Sequence, residues 1–160
     1  MWGVAHSPDT SNIATVAQDG SVRLWDARAA SGGEAGSAKT RSPLFCVAWQ
    51  SDSLVAVGGE EGDIYVYDTR NMAAASTHVK GAHEDSIRRL VFGADKAENP
   101  VLASCSDDTT VCVRSVSGYE TKFASVKPHT DYVRALCFAP GPGQVLAGSW
   151  DRSISRIDVS

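Results

Sequence analysis

The chain has 160 residues, 42% of them hydrophobic and 21% charged, with a formal net charge of −4. That is enough for one globular domain with a real core, and no apolar run nears the roughly 18 residues that a membrane helix needs. The opening Met1-Trp2-Gly3-Val4-Ala5-His6-Ser7-Pro8 lacks the layout of a secretory signal, and the acidic balance argues against direct nucleic-acid binding while leaving room for a basic protein partner.

In chain order, a β-rich run at residues 4–8 precedes residues 14–28 (ATVAQDGSVRLWDAR). That segment reads as a strand of small and apolar residues, a tight turn with an acid, and an alternating strand. Residues 29–37 (AASGGEAGS) read as a flexible surface loop. The pattern then recurs. The run at 45–49 leads into 56–70 (AVGGEEGDIYVYDTR), with a weak further strand at 76–80. The run at 87–92 leads into 102–116 (LASCSDDTTVCVRSV), with a weak further strand at 119–126. The run at 133–138, followed by the turn APGPG at 139–143, leads into 146–160 (LAGSWDRSISRIDVS). The turn acids Asp19, Glu61, Asp108 and Asp151 are 42, 47 and 43 residues apart. That spacing is close to the period of a propeller blade, about 40–45 residues. The expected blades are residues 1–40, 41–80, 81–127 and 128–160.

Cys46, Cys105, Cys112 and Cys137 form no C-x-x-C pair, and His6, His78, His83 and His129 do not cluster near them. No metal or cofactor site is expected. The thiols read as small apolar strand residues of a protein in a reducing compartment, cytoplasm or nucleus.

The dipeptide Trp25-Asp26, its echoes Tyr67-Asp68 and Ile157-Asp158, the turns Ser106-Asp107-Asp108 and Ser149-Trp150-Asp151, and the loop histidines His83 and His129 together resemble the WD40 repeat family over nearly the whole chain. The resemblance implies an all-β WD40 β-propeller of four blades, a partial propeller corresponding to the C-terminal part of a seven-bladed ring, with pairing of two chains as the alternative. It also implies buried networks in which His83 and His129 bond near Asp108 and Asp151, with Ser104 joining the first. The first two blades lack the histidine, and Arg114 and Ile157 stand where a tryptophan is expected.

More narrowly, the endings Trp25-Asp26-Ala27-Arg28 and Tyr67-Asp68-Thr69-Arg70, with Gly148-Ser149-Trp150-Asp151, resemble the C-terminal half of the methylosome WD-repeat subunit family. That resemblance implies a non-catalytic scaffold for the type II protein arginine methyltransferase, presenting basic substrate tails such as those of histones and Sm proteins. Two alternatives stay open. Residues 87–106 are similar to the WD-repeat receptor for a peroxisomal targeting signal. Arg28 and Arg70 fit the WDxR box of cullin-ligase substrate receptors, where the arginine contacts the adaptor.

No G-x-S-x-G, H-E-x-x-H or phosphate-cradling loop is present. Histidines and acids recurring at repeat-equivalent places mean architecture, so no enzyme is expected. The residue before each turn acid (Gln18, Glu60, Asp107, Trp150) and those entering the first strand (Arg41, Glu84, Ser86, Thr130, Tyr132) should share one rim. Glu60, Glu84, Asp107, Tyr132 and Trp150 are the expected partner-binding residues: acids to attract a basic segment, and two rings to stack on its guanidinium groups.

Overall fold

The structure is a computed structural model that describes residues 1–8, 11–29, 33–119, 126–141 and 143–159. It is all-β, with no helix among those residues. The strands form four antiparallel sheets in meander order. The first holds β1 (Gly3–His6), β2 (Asn12–Val16), β3 (Ser21–Asp26) and β4 (Glu34–Lys39). The second holds β5 (Leu44–Ser51), β6 (Leu54–Gly59), β7 (Ile64–Asp68) and β8 (Thr77–Val79). The third holds β9 (Ile87–Ala94), β10 (Pro100–Ser106) and β11 (Val111–Ser115), and the fourth β12 (Val133–Phe138), β13 (Gln144–Ser149) and β14 (Ile154–Asp158). These are the blades of a propeller. The innermost strands β1, β5, β9 and β12 lie side by side in that order.

Three apolar cores sit between the four blades. Ala14, Val16, Val22 and Leu24 pack on Leu44, Val55, Val57 and Tyr67. Ala56, Ile64 and Val66 face the other way, onto Ile87, Leu90 and Leu102. Val101, Ala103 and Val113 meet Val133, Val145 and Ala147. The period of two explains this division, because odd residues of β6 serve one junction and even residues the next. A strand buried on both faces must be apolar throughout, as Leu54–Gly59 and Pro100–Ser106 nearly are. No core among the described residues joins the fourth blade to the first, so the blades form an arc.

The four acids occupy equivalent turns. Each lies midway between the last paired residue of one strand and the first of the next: Val16↔Val22, Gly58↔Ile64, Cys105↔Val111 and Gly148↔Ile154. The residue after each acid has positive φ: Gly20 (77°), Gly62 (75°), Thr109 (72°) and Arg152 (70°). Glycine adopts this left-handed turn freely; the β-branched Thr109 does so only because the surrounding hydrogen bonds hold it.

The surface loop expected at residues 29–37 lies partly outside the described residues, and residues 34–37 depart from expectation. Glu34–Lys39 is β4, paired with β3 from Ser21↔Lys39 to Trp25↔Glu34. Small, weakly β-forming residues become a strand because the free edge of β3 supplies their hydrogen bonds. The weak strand expected at 76–80 is β8. Most of the one expected at 119–126 lies outside the described residues, and Val126 makes a single bridge to Val111.

Candidate functional site

Hydrogen-bond networks at the turns hold the loops of one rim. In the third blade His83 Nδ1 lies 3.2 Å from Asp108 Oδ2 and 2.8 Å from Thr110 Oγ1, and Nε2 lies 2.7 Å from Ser104 Oγ. Asp108 also accepts from the N–H groups of Glu84 and Thr110, each at 2.9 Å, and from the Thr110 hydroxyl at 2.5 Å. Burial pushes the Asp108 carboxyl pKa up, but the bonds from His83, Thr110 and Glu84 outweigh it, and the net shift is well below the usual carboxylate range. An ionised carboxylate only accepts, so His83 Nδ1 is the donor to Asp108.

The fourth blade repeats this with His129, Asp151, Ser153 and Ser155, at 3.0, 3.0 and 2.9 Å from the imidazole nitrogens. The Ser153 hydroxyl leads in holding Asp151 below the usual range. The first blade has no loop histidine, and Trp25 Nε1 donates instead to Thr15 Oγ1 at 2.9 Å. The Ser42 hydroxyl donates to Glu61 in the second. Arg114, in the tryptophan position, donates to the Ala82 carbonyl at 3.2 Å and so ties the His83 loop down by another route.

Ser104, His83 and Asp108 have the connectivity of a nucleophilic triad. Ser104 is 0% exposed, and its hydroxyl also faces the Cys112 carbonyl at 3.5 Å. A nucleophile that no substrate can reach, with a copy of its base and acid one blade on, is an architectural clamp.

The rim carries a continuous chain of rings and charges. The register shifts at one place in three inner strands, between Leu44 and Cys46, opposite Cys105 and Ser106, and between Val133 and Ala135. Each shift is a bulge that leaves one residue out of the ladder: Phe45, Arg88 and Arg134. Trp2 precedes Gly3 at the corresponding place in the first blade. The Trp2 and Phe45 rings are 5.5 Å apart. The Arg88 guanidinium lies 4.4 Å over Phe45, and its Nε and an Nη donate to Asp107 Oδ2 at 2.8 and 2.6 Å. Arg134 Nε is 3.0 Å from Asp107 Oδ1, an ion pair without hydrogen-bond alignment. The Arg134 guanidinium also lies 5.1 Å from the Tyr132 ring and 4.6 Å from Trp150, and these rings are 5.4 Å apart.

This arrangement changes the expectation for two features. Asp107 was expected to offer its charge to a partner. Its side chain is 6% exposed and is taken up by two arginines of adjacent blades. Tyr132 and Trp150 do form one patch, but Arg134 of the same chain occupies the guanidinium position between them. Trp150 stays 60% exposed and Tyr132 39%. Glu60 and Glu84 are exposed on neighbouring loops, apart from the chain of rings. Sequence reasoning missed Trp2, Phe45, Arg88 and Arg134. The available signal was their shared position, second in three of the inner-strand runs, at Leu44-Phe45, Ile87-Arg88 and Val133-Arg134.

At the opposite end of β3 and β7, Arg28 and Arg70 share one geometry. Each backbone N–H donates to the aspartate two residues earlier at 2.9 Å, and each guanidinium folds onto that carboxylate, at 3.2 Å from Asp26 and 2.6 Å from Asp68. The Arg70 side chain, then its N–H, holds Asp68 down at about 2. Both arginines are more than 70% exposed.

The family description "WD domain, G-beta repeat" matches residues 1–26, 75–115 and 120–158, more than half of the chain. Meiotic fizzy-related protein 2 of Schizosaccharomyces pombe is 28% identical over 98% of this chain and 31% of its own length. DDB1- and CUL4-associated factor 10 of Homo sapiens is 25% identical over 78% of this chain and 22% of its own. Protein SPA1-RELATED 4 of Arabidopsis thaliana is 28% identical over 93% and 19%. The chain therefore spans less than a third of the length of these relatives. A chain in a crystal structure of the mitotic checkpoint complex superposes with a TM-score of 0.84 at 20% identity, over 97% of this chain and 48% of that one, a likeness of fold. These relatives point to the repeat family and not to its methylosome branch.

Proposed function

The chain belongs to the WD40 repeat family, and on that premise we propose that it is a non-catalytic scaffold that receives protein partners on the rim carrying Trp150 and Tyr132. One observation carries the reading: a large aromatic side chain 60% exposed and yet braced from behind by Arg134. Exposed tryptophan on a rigid support buries area at low entropic cost, as interface anchors do. Glu60 and Glu84 lie on the surrounding loops and steer a partner's basic groups over about a Debye length.

We further propose that the scaffold works as a substrate receptor of a cullin ubiquitin ligase, its rim holding substrate and its opposite end holding the adaptor. The matched geometry of Arg28 and Arg70 favours this, as do relatives whose name associates them with DDB1 and CUL4. A methylosome scaffold presenting arginine-rich tails is less favoured, because Arg134 fills the stacking position such a tail would need.

The test is partner capture from cells by the intact protein, its Trp150→Ala form and its Arg28→Ala/Arg70→Ala form, quantified by mass spectrometry. Trp150→Ala is expected to weaken substrates by about 2 kcal/mol or more and to leave the adaptor bound. The double arginine variant is expected to do the reverse. Unchanged profiles for both folded variants contradict the proposal.

A further inference from the structure

A recess lies on the flank of the arc between the outer strands of the first two blades, and one end of it reaches the rim loops that carry Arg41 and Glu61. It is a groove of about 650 Å³, within the range of sites that hold a small ligand or a few residues of peptide. Tyr65 forms one wall, stacked on His78 with ring centroids 4.2 Å apart and planes 16° off parallel. Alanines at 38 and 73–75 leave the space open.

Its charges are unequally engaged. The acids have partners: Asp63 takes His78 Nε2 at 2.6 Å on one oxygen and the Gly81 N–H at 2.8 Å on the other, and Glu61 accepts from the Ser42 hydroxyl. The three cations, Lys39, Arg41 and Lys80, are exposed and make no ion pair within 4 Å among the described residues. They come from three segments: the end of β4, the link to β5 and the residue after β8. In a chain of net charge −4, the three cations outnumber the two carboxylates, Glu61 and Asp63, around this groove.

We propose that this groove binds a phosphorylated segment of a partner protein, with Lys39, Arg41 and Lys80 around the phosphate and the Tyr65–His78 stack against the neighbouring side chain. A phosphoserine or phosphothreonine carries about −1.5 to −2 charges and three acceptor oxygens. Three cations lining one groove match that demand, whereas one carboxylate needs one. Arg41 supplies a planar fork and the lysines point charges.

The experiment uses the whole chain and a fluorescein-labelled pool of peptides with a central phosphoserine or phosphothreonine and randomised flanks. Controls are the unphosphorylated pool, a pool with glutamate at the centre, and a labelled single-stranded oligonucleotide. Anisotropy titrations are expected to show at least tenfold tighter binding of the phosphorylated pool than of either peptide control. Arg41→Glu/Lys80→Glu is expected to abolish that preference, Arg41→Lys to keep most of it, and Trp150→Ala to leave it untouched. Circular dichroism checks folding; these side chains lie outside all three cores. Equal binding of phosphorylated and glutamate pools, preference for the oligonucleotide, or loss of binding in Trp150→Ala would each overturn the proposal. The last of these outcomes assigns the phosphopeptide to the rim and leaves the rim reading standing.

Discussion

Asp108→Ala is expected to destabilise the chain by about 3 kcal/mol in urea unfolding, more than the same change at the exposed Asp19. The substitution removes the acceptor for four donors at once: the Glu84 and Thr110 N–H groups, the Thr110 hydroxyl and His83 Nδ1. His83 is 5% exposed and cannot turn to water for a replacement. Thr109 loses what holds it at φ 72°. Acid acts on the same group. The folded-state pKa of Asp108 is depressed below its ordinary 3.8, so its contribution is complete above pH 3.8 and drains away as pH falls through the folded value. The wild type should lose stability steeply below pH 4, and Asp108→Ala should show a flatter acid limb. A loss under 0.5 kcal/mol at neutral pH, or parallel acid limbs, contradicts the network.

Gly59→Ala is expected to cost about 3 kcal/mol, at the upper end of overpacking penalties. A Cβ on Gly59 would lie 2.0 Å from the Pro43 carbonyl oxygen and 2.8 Å from Leu44 Cα. Both are backbone atoms, so the start of β5 itself must move. That strand carries Phe45, on which Arg88 stacks, and the change should disturb the rim as well as the core. Gly148→Ala is the control. Its added Cβ would meet only the Ala135 Cβ, at an ordinary 3.4 Å, and thermal unfolding should barely register it. Equal melting temperatures for the two variants contradict the close approach seen at Gly59.

The repeat was legible because its marks are local. An acid in the turn between the second and third strands of each blade, apolar alternation on either side and a loop histidine two blades running are all readable from short stretches of chain. The outer strand β4 was not legible, since its residues have no preference for a strand until β3 offers an edge. The rim was legible only in outline. Trp150 and Tyr132 follow from repeat position, but a bulge is a difference in register between two strands and does not show in the pattern of one. Only the shared second position of Phe45, Arg88 and Arg134 across the blades marks them, and with them the fate of Asp107. Its acidity is visible in the sequence; its neutralisation by two arginines from adjacent blades is a property of the packed arc.

The central claim is that partners dock on the rim, anchored by Trp150. Photo-crosslinking in cells tests it most directly. A photoreactive amino acid replaces Glu84 or Thr130, exposed residues on the loops that enter β9 and β12, in otherwise wild-type protein and in the Trp150→Ala background. The account predicts the same partner adducts from both positions, at least tenfold reduced when Trp150 is absent, with the protein still folded. Adducts that persist unchanged without Trp150, or no adducts from either position while the protein still captures its partners, would contradict it.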